Sequence, residues 1–322
     1  MNDEGHEFKL NNWQQSALEQ VLLENIKEQR SKRHWNIFFR FLYLLLFLLI
    51  LFFIFAAQQE PAATGNANKP HTALIKMEGE LQSGGDVDSD NMAESLTKAF
   101  KNPDVDGIIL RISSPGGSPV QASDIYNTIV RLHTSYPDKK IYSVCAEMCA
   151  SAAYYVASAT DQIYANPSSI VGSIGVLLDG FGFVGTLEKL GVERRLITSG
   201  SEKGFLDPFS PQKPEDVANA QKMLDIVHDQ FINDVKKGRG ARLQDSPEIF
   251  TGRAWTGLQA KELGLIDGFG STYTVAHDVI KNTNIVDYTK KQGLFDTLSR
   301  NVGVSFSRTV GKELGLWGSK LR

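Results

Sequence analysis

Arg111-Ile-Ser-Ser-Pro-Gly-Gly-Ser118, followed after a helical pattern by Cys149-Ala-Ser-Ala-Ala-Tyr-Tyr155, decides how this chain is read. The first stretch ends an apolar run, Gly107 to Ile112, that predicts a buried strand. Its paired glycines let backbone N–H groups turn toward a bound oxygen, as an oxyanion-hole loop requires. The second stretch sets Ser151 after the apolar run Ile141 to Ala146 and before small residues, so a nucleophile would sit at a strand-to-helix turn. Neither signal suffices alone. Ser-Pro-Gly-Gly is an ordinary turn sequence, and a serine among alanines is usually just a helix residue.

Working outward, apolar runs at Thr72 to Met77, Gly107 to Ile112, Ile141 to Ala146 and Gly175 to Leu178 alternate with helical patterns. Those helices are expected near Asp90 to Phe100, Val120 to Thr134, Ala150 to Ala159 and Pro214 to Lys236. The alternation predicts an α/β domain with parallel strands. In 322 residues there is room for one large domain with appendages, and a net charge of −3 gives no support to a nucleic-acid partner.

Much of the apolar excess lies between Asn36 and Ala57, and Phe41 to Ala57 is an unbroken apolar run. Residues 37–57 are therefore expected to form a transmembrane signal anchor, since about 20 apolar residues cross a bilayer. A cleaved secretory signal, with Phe55-Ala-Ala57 near the cut, fits less well because the leader is long and the apolar run exceeds a signal's core. Arg30, Lys32, Arg33 and Arg40 flank the N-terminal side, and nothing basic occurs between Phe41 and Asn68. That asymmetry keeps residues 1–36 in the cytoplasm and sends the rest outward. Leu18, Val21, Leu22 and Ile26 predict an amphipathic helix over residues 13–30, suited to a membrane surface, a partner or solvent. Residues 58–70 read as a linker, 71–283 as the compact domain, and 284–322 as a basic, weakly apolar tail suited to a subunit or membrane contact.

The two opening stretches, with Ile170-Val-Gly-Ser-Ile-Gly-Val176, Ser199-Gly-Ser-Glu-Lys-Gly204 and Phe250-Thr-Gly-Arg-Ala-Trp-Thr-Gly-Leu-Gln-Ala-Lys-Glu-Leu-Gly-Leu-Ile-Asp-Gly268, resemble the signal peptide peptidase A family of serine peptidases, family S49, in its short membrane-anchored form. The resemblance covers residues 71 to 283, and several ordered motifs are far more specific than any one of them. It implies a Clp protease/crotonase-like spiral of β-β-α units and a bacterial inner-membrane protein whose catalytic domain is periplasmic.

Chemistry turns on what activates Ser151, because a hydroxyl is a weak nucleophile until a positioned base takes its proton. His6 and His34 precede the span, His71 sits at the domain edge, and His133, His228 and His277 fall in helical patterns. The related Clp peptidases place a histidine shortly after the nucleophile, where Ser169 to Gly180 has none. The resemblance instead assigns the base to Lys203, as a Ser-Lys dyad, with Ser173 orienting its amine. The oxyanion would then lie among Gly116, Gly117 and Ala152. A general-base lysine must shed its charge near neutral pH, a shift of roughly three pKa units or about 4 kcal/mol, which burial supplies and exposure does not. Phe205, Leu206, Pro208 and Phe209 stand near enough in sequence to contribute that burial.

Some family members draw the two dyad residues from adjacent subunits of a ring, so a homo-oligomer, tetramer or octamer, is expected. The implied substrates are peptides, including cleaved signal peptides. No cofactor or metal is expected: Cys145 and Cys149 lack a second ligand pair and read as buried small apolar residues. The alternatives are a relative of the same family that cleaves membrane proteins, a catalytically silent crotonase-fold scaffold, and an acyl-CoA hydratase or isomerase. The last is disfavoured by the anchor and by Ser151.

Overall fold

The computed structural model describes residues 12–57 and 65–290, which divide into two compact units between Ala62 and Ala63. The first unit is one helix, α1 (Asn12–Ala57), of 46 residues. No break separates the expected amphipathic pattern from the apolar span; both lie on α1. Lys32–Phe52 has a mean hydropathy of 2.2 over 21 residues, with none of it buried in the protein. Such a stretch reaches about 30 Å, the thickness of a hydrocarbon core.

The second unit runs β1 (His71–Glu78), α2 (Ser89–Lys101), β2 (Val105–Ser114), α3 (Pro119–Ser135), β3 (Ile141–Ala150), α4 (Ala152–Ser158), β4 (Gln162–Ala165), β5 (Ile170–Gly172), α5 (Val184–Lys189), α6 (Pro214–Arg239), β6 (Ala254–Thr256), α7 (Gly257–Glu262), β7 (Gly268–Phe269), α8 (Thr272–Thr274) and β8 (Ile285–Asp287). It is the α/β architecture expected. The sheet order is β6-β5-β3-β2-β1-β8, with β4 joining β3 to β7. The first half of β3, Tyr142 to Cys145, pairs with β4, and its second half, Met148 to Ala150, pairs with β5. The sheet therefore divides along β3, immediately before Ser151.

Alternation along β2 explains why that strand is apolar almost throughout. Ile108, Leu110 and Ile112 enter the main core, whereas Ile109 joins a smaller cluster with Leu74, Val144, Val275 and Ala276. Helix α2 buries Met92, Leu96, Ala99 and Phe100 at helical spacing, and Asp88 caps it by accepting from the backbone of Asp90 and Asn91. Burying each such large side chain stabilises the fold by about 1.5–3 kcal/mol. Ser118 caps α3 and Pro119 opens it, so one short sequence ends the glycine loop and starts a helix.

Three expectations need adjusting. Gly175 to Leu178 is not a strand; the ladder strand is β5, at Ile170–Gly172. Gly175 is wedged against Gly252, where an added Cβ would meet the Gly252 Cα at 2.8 Å, and past this point the chain leaves the sheet with Leu177 79% exposed. The sheet also continues past residue 283, because β8 pairs with β1. Gly65 packs against β8, so the second half of the expected linker belongs to the folded unit. Residues 58–64 and the tail from 291 onward lie outside the described residues.

A buried ion pair ties α6 to the end of the sheet. Arg239, with no exposed side-chain surface, donates from Nη1 and Nη2 to the two carboxylate oxygens of Asp267 at 2.7 and 3.0 Å, and from Nε to the Gly264 carbonyl. Asp267 also accepts the Ile163 amide at 2.7 Å. Burial acts to raise the Asp267 carboxyl, but the Arg239 hydrogen bonds and charge outweigh it and hold the group below the usual carboxylate range. With the folded value depressed, its stabilisation is present above the unfolded value of about 3.9 and disappears as pH falls through the folded value. Arg239→Ala is expected to cost about 3 kcal/mol in urea denaturation at neutral pH, since it removes two hydrogen bonds from the Asp267 carboxylate and leaves it the Ile163 amide and the longer contact to Arg242. Asp267→Asn should flatten the loss of stability below about pH 4, read from melting curves against pH.

Candidate active site

The strand β3 delivers Ser151 into a sharp turn. Its backbone has φ 53° and ψ −127°, a region that side-chain-bearing residues rarely occupy and that costs about 1–3 kcal/mol. Three contacts impose it. The Ser151 amide donates to the Gly172 carbonyl at 2.7 Å, the Ser151 carbonyl accepts the Tyr155 amide at 3.0 Å, and Gly116 lies directly against the turn. A Cβ on Gly116 would stand 2.8 Å from the Ser151 Cβ and 3.0 Å from the Ala152 nitrogen, so this position admits only glycine. Ser151 precedes α4, yet its hydroxyl makes no capping hydrogen bond and stays available.

The neighbouring glycine is as tightly specified. Gly117 has φ 137°, and a Cβ there would approach the Leu81 carbonyl oxygen to 2.3 Å. Leu81 holds the loop from the other side: its amide donates to the Gly116 carbonyl and its carbonyl accepts the Ser118 amide, both at 2.8 Å. The Gly116 amide donates to the Ser114 hydroxyl at 3.2 Å. That leaves Gly117 and Ala152 as the two amides beside Ser151 suited to an oxyanion, with Gly116 supplying space.

Ser173 belongs to the same surface. Its φ of 52° is again positive, its amide donates to the Arg253 carbonyl, and its hydroxyl donates to the Gly252 carbonyl at 3.2 Å. Ser151, Ala152, Ser173 and Gly117 line one cavity of about 730 Å³, whose far wall is α6 through Val227, His228 and Phe231. His228 Nε2 is 3.2 Å from the Ile174 carbonyl, which also accepts the Gly252 amide, so α6 steadies the turn that carries Ser173. Sequence reasoning missed this wall because a histidine in a helical pattern carries no motif. Tyr155 stacks on Phe231 at 4.7 Å. Burial, then its hydrogen bond to the Asp234 carboxylate, pushes the Tyr155 phenol up to about 12, leaving a neutral, rigid surface. A larger recess of about 960 Å³, between β3 and the segment Phe269 to Thr274, contains none of the candidate residues.

Lys203 stands elsewhere. It is exposed on a turn-rich segment and is not among the residues lining the Ser151 cavity. The apolar residues expected to bury it are themselves partly open, Phe209 being 39% exposed and stacked on Phe183. One chain thus brings together Ser151, Gly117, Ala152 and Ser173, but not Lys203. Cys145 and Cys149 are buried and free of a disulfide. Burial, reinforced by Cys145, pushes the Cys149 thiol well above its ordinary value.

Residues 134–285 match the sequence profile of peptidase family S49. A stretch of 202 residues is 42% identical to part of a protein named Na(+)/H(+) antiporter NhaA in Brucella abortus, covering 61% of this chain and 27% of that protein. A putative signal peptide peptidase SppA of Enterococcus faecium is 30% identical over 212 residues, 66% of this chain and 61% of the relative. This chain therefore spans about a quarter of the Brucella protein and less than two thirds of the Enterococcus one. A putative protease of Synechocystis sp. is 33% identical over 202 residues, which cover 62% of this chain and 69% of that protein. With the glycine loop, the Ser151 turn and the Ser173 turn assembled on one sheet, these matches establish that the chain belongs to peptidase family S49.

Proposed function

We propose that this chain is a membrane-anchored serine endopeptidase that hydrolyses remnant signal peptides or other membrane-derived peptides, with Ser151 as nucleophile and Lys203 of an adjacent copy as base. The observation that carries the reading is the uncapped Ser151 hydroxyl, held at positive φ beside the Gly117 and Ala152 amides. In the first step the neutral Lys203 amine takes the Ser151 proton while Oγ attacks the peptide carbonyl. The carbonyl electron pair moves to oxygen, where the two amides receive the charge. Collapse breaks the C–N bond, and the lysine ammonium returns the proton to the departing amine. A water deprotonated by Lys203 then cleaves the acyl-enzyme ester and restores Ser151. Ser173 orients the lysine amine.

Assembly of several copies into a ring is the part of this reading that would bring Lys203 to Ser151. The segment leading from the cavity to Lys203 exposes Leu177, Phe181, Leu190 and Ile197, the last 95% exposed. Covering it with another copy buries that apolar surface and brings a lysine, desolvated as a base must be, to a neighbour's serine. The apolar half of α1 supplies the membrane anchor, and the basic residues Arg30, Lys32, Arg33 and Arg40 keep its N-terminal side in the cytoplasm of a bacterial cell. The catalytic unit then faces the periplasm, on the side where cleaved signal peptides border the membrane.

A fluorophosphonate probe applied to the detergent-solubilised protein should label wild type, with labelling abolished in Ser151→Ala and reduced by about 10²-fold or more in Lys203→Ala. Equal labelling of all three would move the nucleophile elsewhere, and none at all would favour the silent scaffold. Ser151→Gly should lose labelling while gaining about 1 kcal/mol of stability in urea denaturation, because glycine relieves the strain at φ 53°. Gly117→Ala should lose labelling through the clash with Leu81.

A further inference from the structure

Among the residues lining the Ser151 cavity a single carboxylate occurs, that of Glu80, and no lysine or arginine. Its place is set by the backbone. The Gly79 amide donates to the Ser113 carbonyl at 3.1 Å, and the Leu81 amide and carbonyl bind the Gly116 carbonyl and Ser118 amide, so residue 80 is held between two anchored neighbours beside the glycine loop. The side chain lies over that loop: a Cβ on Gly117 would meet the Glu80 Cγ at 3.0 Å. Glu80 is exposed, and among the described residues no cation pairs with it, whereas Glu78 two residues earlier is bound to Arg111. Away from Glu80, Val176, Val227, Phe231 and Phe250 give the walls an apolar part, beside the polar His228 and Thr251.

We infer that Glu80 is a specificity-determining residue that selects peptides carrying Lys or Arg beside the bond presented to Ser151, next to an apolar stretch. This deepens the peptidase reading and rests on it. A carboxylate beside the glycine loop attracts a substrate cation and repels an acid, an effect of the modest size and salt sensitivity that its exposure sets. Signal peptides join a basic region to an apolar one, and a cavity with one acidic residue beside an apolar wall fits that junction.

The test measures equilibrium binding to the full-length Ser151→Ala protein in detergent. The probes are short apolar peptides bearing an uncharged fluorophore and differing only by Lys, Gln or Glu beside the central bond. The Lys peptide should bind about tenfold more tightly than the Glu peptide, equivalent to about 1.4 kcal/mol. The ratio should shrink with added salt, as an electrostatic preference does and a packing defect does not. Adding Glu80→Gln should bring the ratio near unity, and Glu80→Lys should invert it. A ratio untouched by Glu80→Gln, an absence of charge discrimination, or no binding of any peptide would overturn the assignment. Failure of the peptidase reading is separately visible: unlabelled wild type with charge-selective binding removes the enzyme and keeps Glu80, whereas labelled wild type without selectivity does the reverse.

Discussion

The backbone at Ser151 is forced into a conformation that serine resists, and the surrounding structure is arranged to hold it there. Strand β3 brings the chain in, the amide of Ser151 is taken by the Gly172 carbonyl, and Gly116 fills the space behind, where any side chain would collide with the serine. The same three constraints point the hydroxyl away from the helix it precedes and into the cavity. The Ser151 turn is thus a product of tertiary pressure on a local preference, and strained residues of this kind cluster at functional sites.

Glycine enters this site as a packing requirement more than as a source of freedom. At Gly117 the obstacle is the backbone of Leu81, and at Gly172 it is the Trp255 ring, 2.9 Å from where a Cβ would stand. Trp255 is in turn covered by the Arg253 guanidinium, 4.4 Å from its centroid. The β5–β6 pair therefore closes the turn bearing Ser173 from below while His228 closes it from α6. Segments far apart in sequence meet at one cavity, and each is fixed by hydrogen bonds that leave the Ser151 hydroxyl uncommitted.

How much of this is legible in the sequence depends on whether a residue's role is local. Ser151 and the glycine pair can be read because a strand, a turn and a helix start leave marks within a few residues. The strands β1, β2 and β3 can be read because most of both faces is buried, which makes them largely apolar despite Lys76, Asp106, Arg111 and Glu147. Gly175 to Leu178 looks like one more strand for the same compositional reason, but the ladder ends at Gly172 and the chain leaves the sheet past the Gly175–Gly252 contact, which composition does not report. The apolar residues that follow Lys203 suggest its burial, yet Lys203 is exposed and those residues are half-buried or open on the same segment. Glu80 and His228 were invisible because a surface acid and a helical histidine gain meaning only from the cavity that folding builds between them.

On the proposed reading, the exposed Lys203 and the uncovered apolar segment are explained together by neighbouring copies that complete each other's sites. Complementation measures this most directly: Ser151→Ala and Lys203→Ala chains, each inactive alone, are co-expressed, purified together in detergent and assayed for peptide hydrolysis and fluorophosphonate labelling. Sharing of the dyad between copies predicts that the mixed assembly regains both, with the label found on the chain that retains Ser151. A mixture that assembles but stays as inactive as its components would contradict the account.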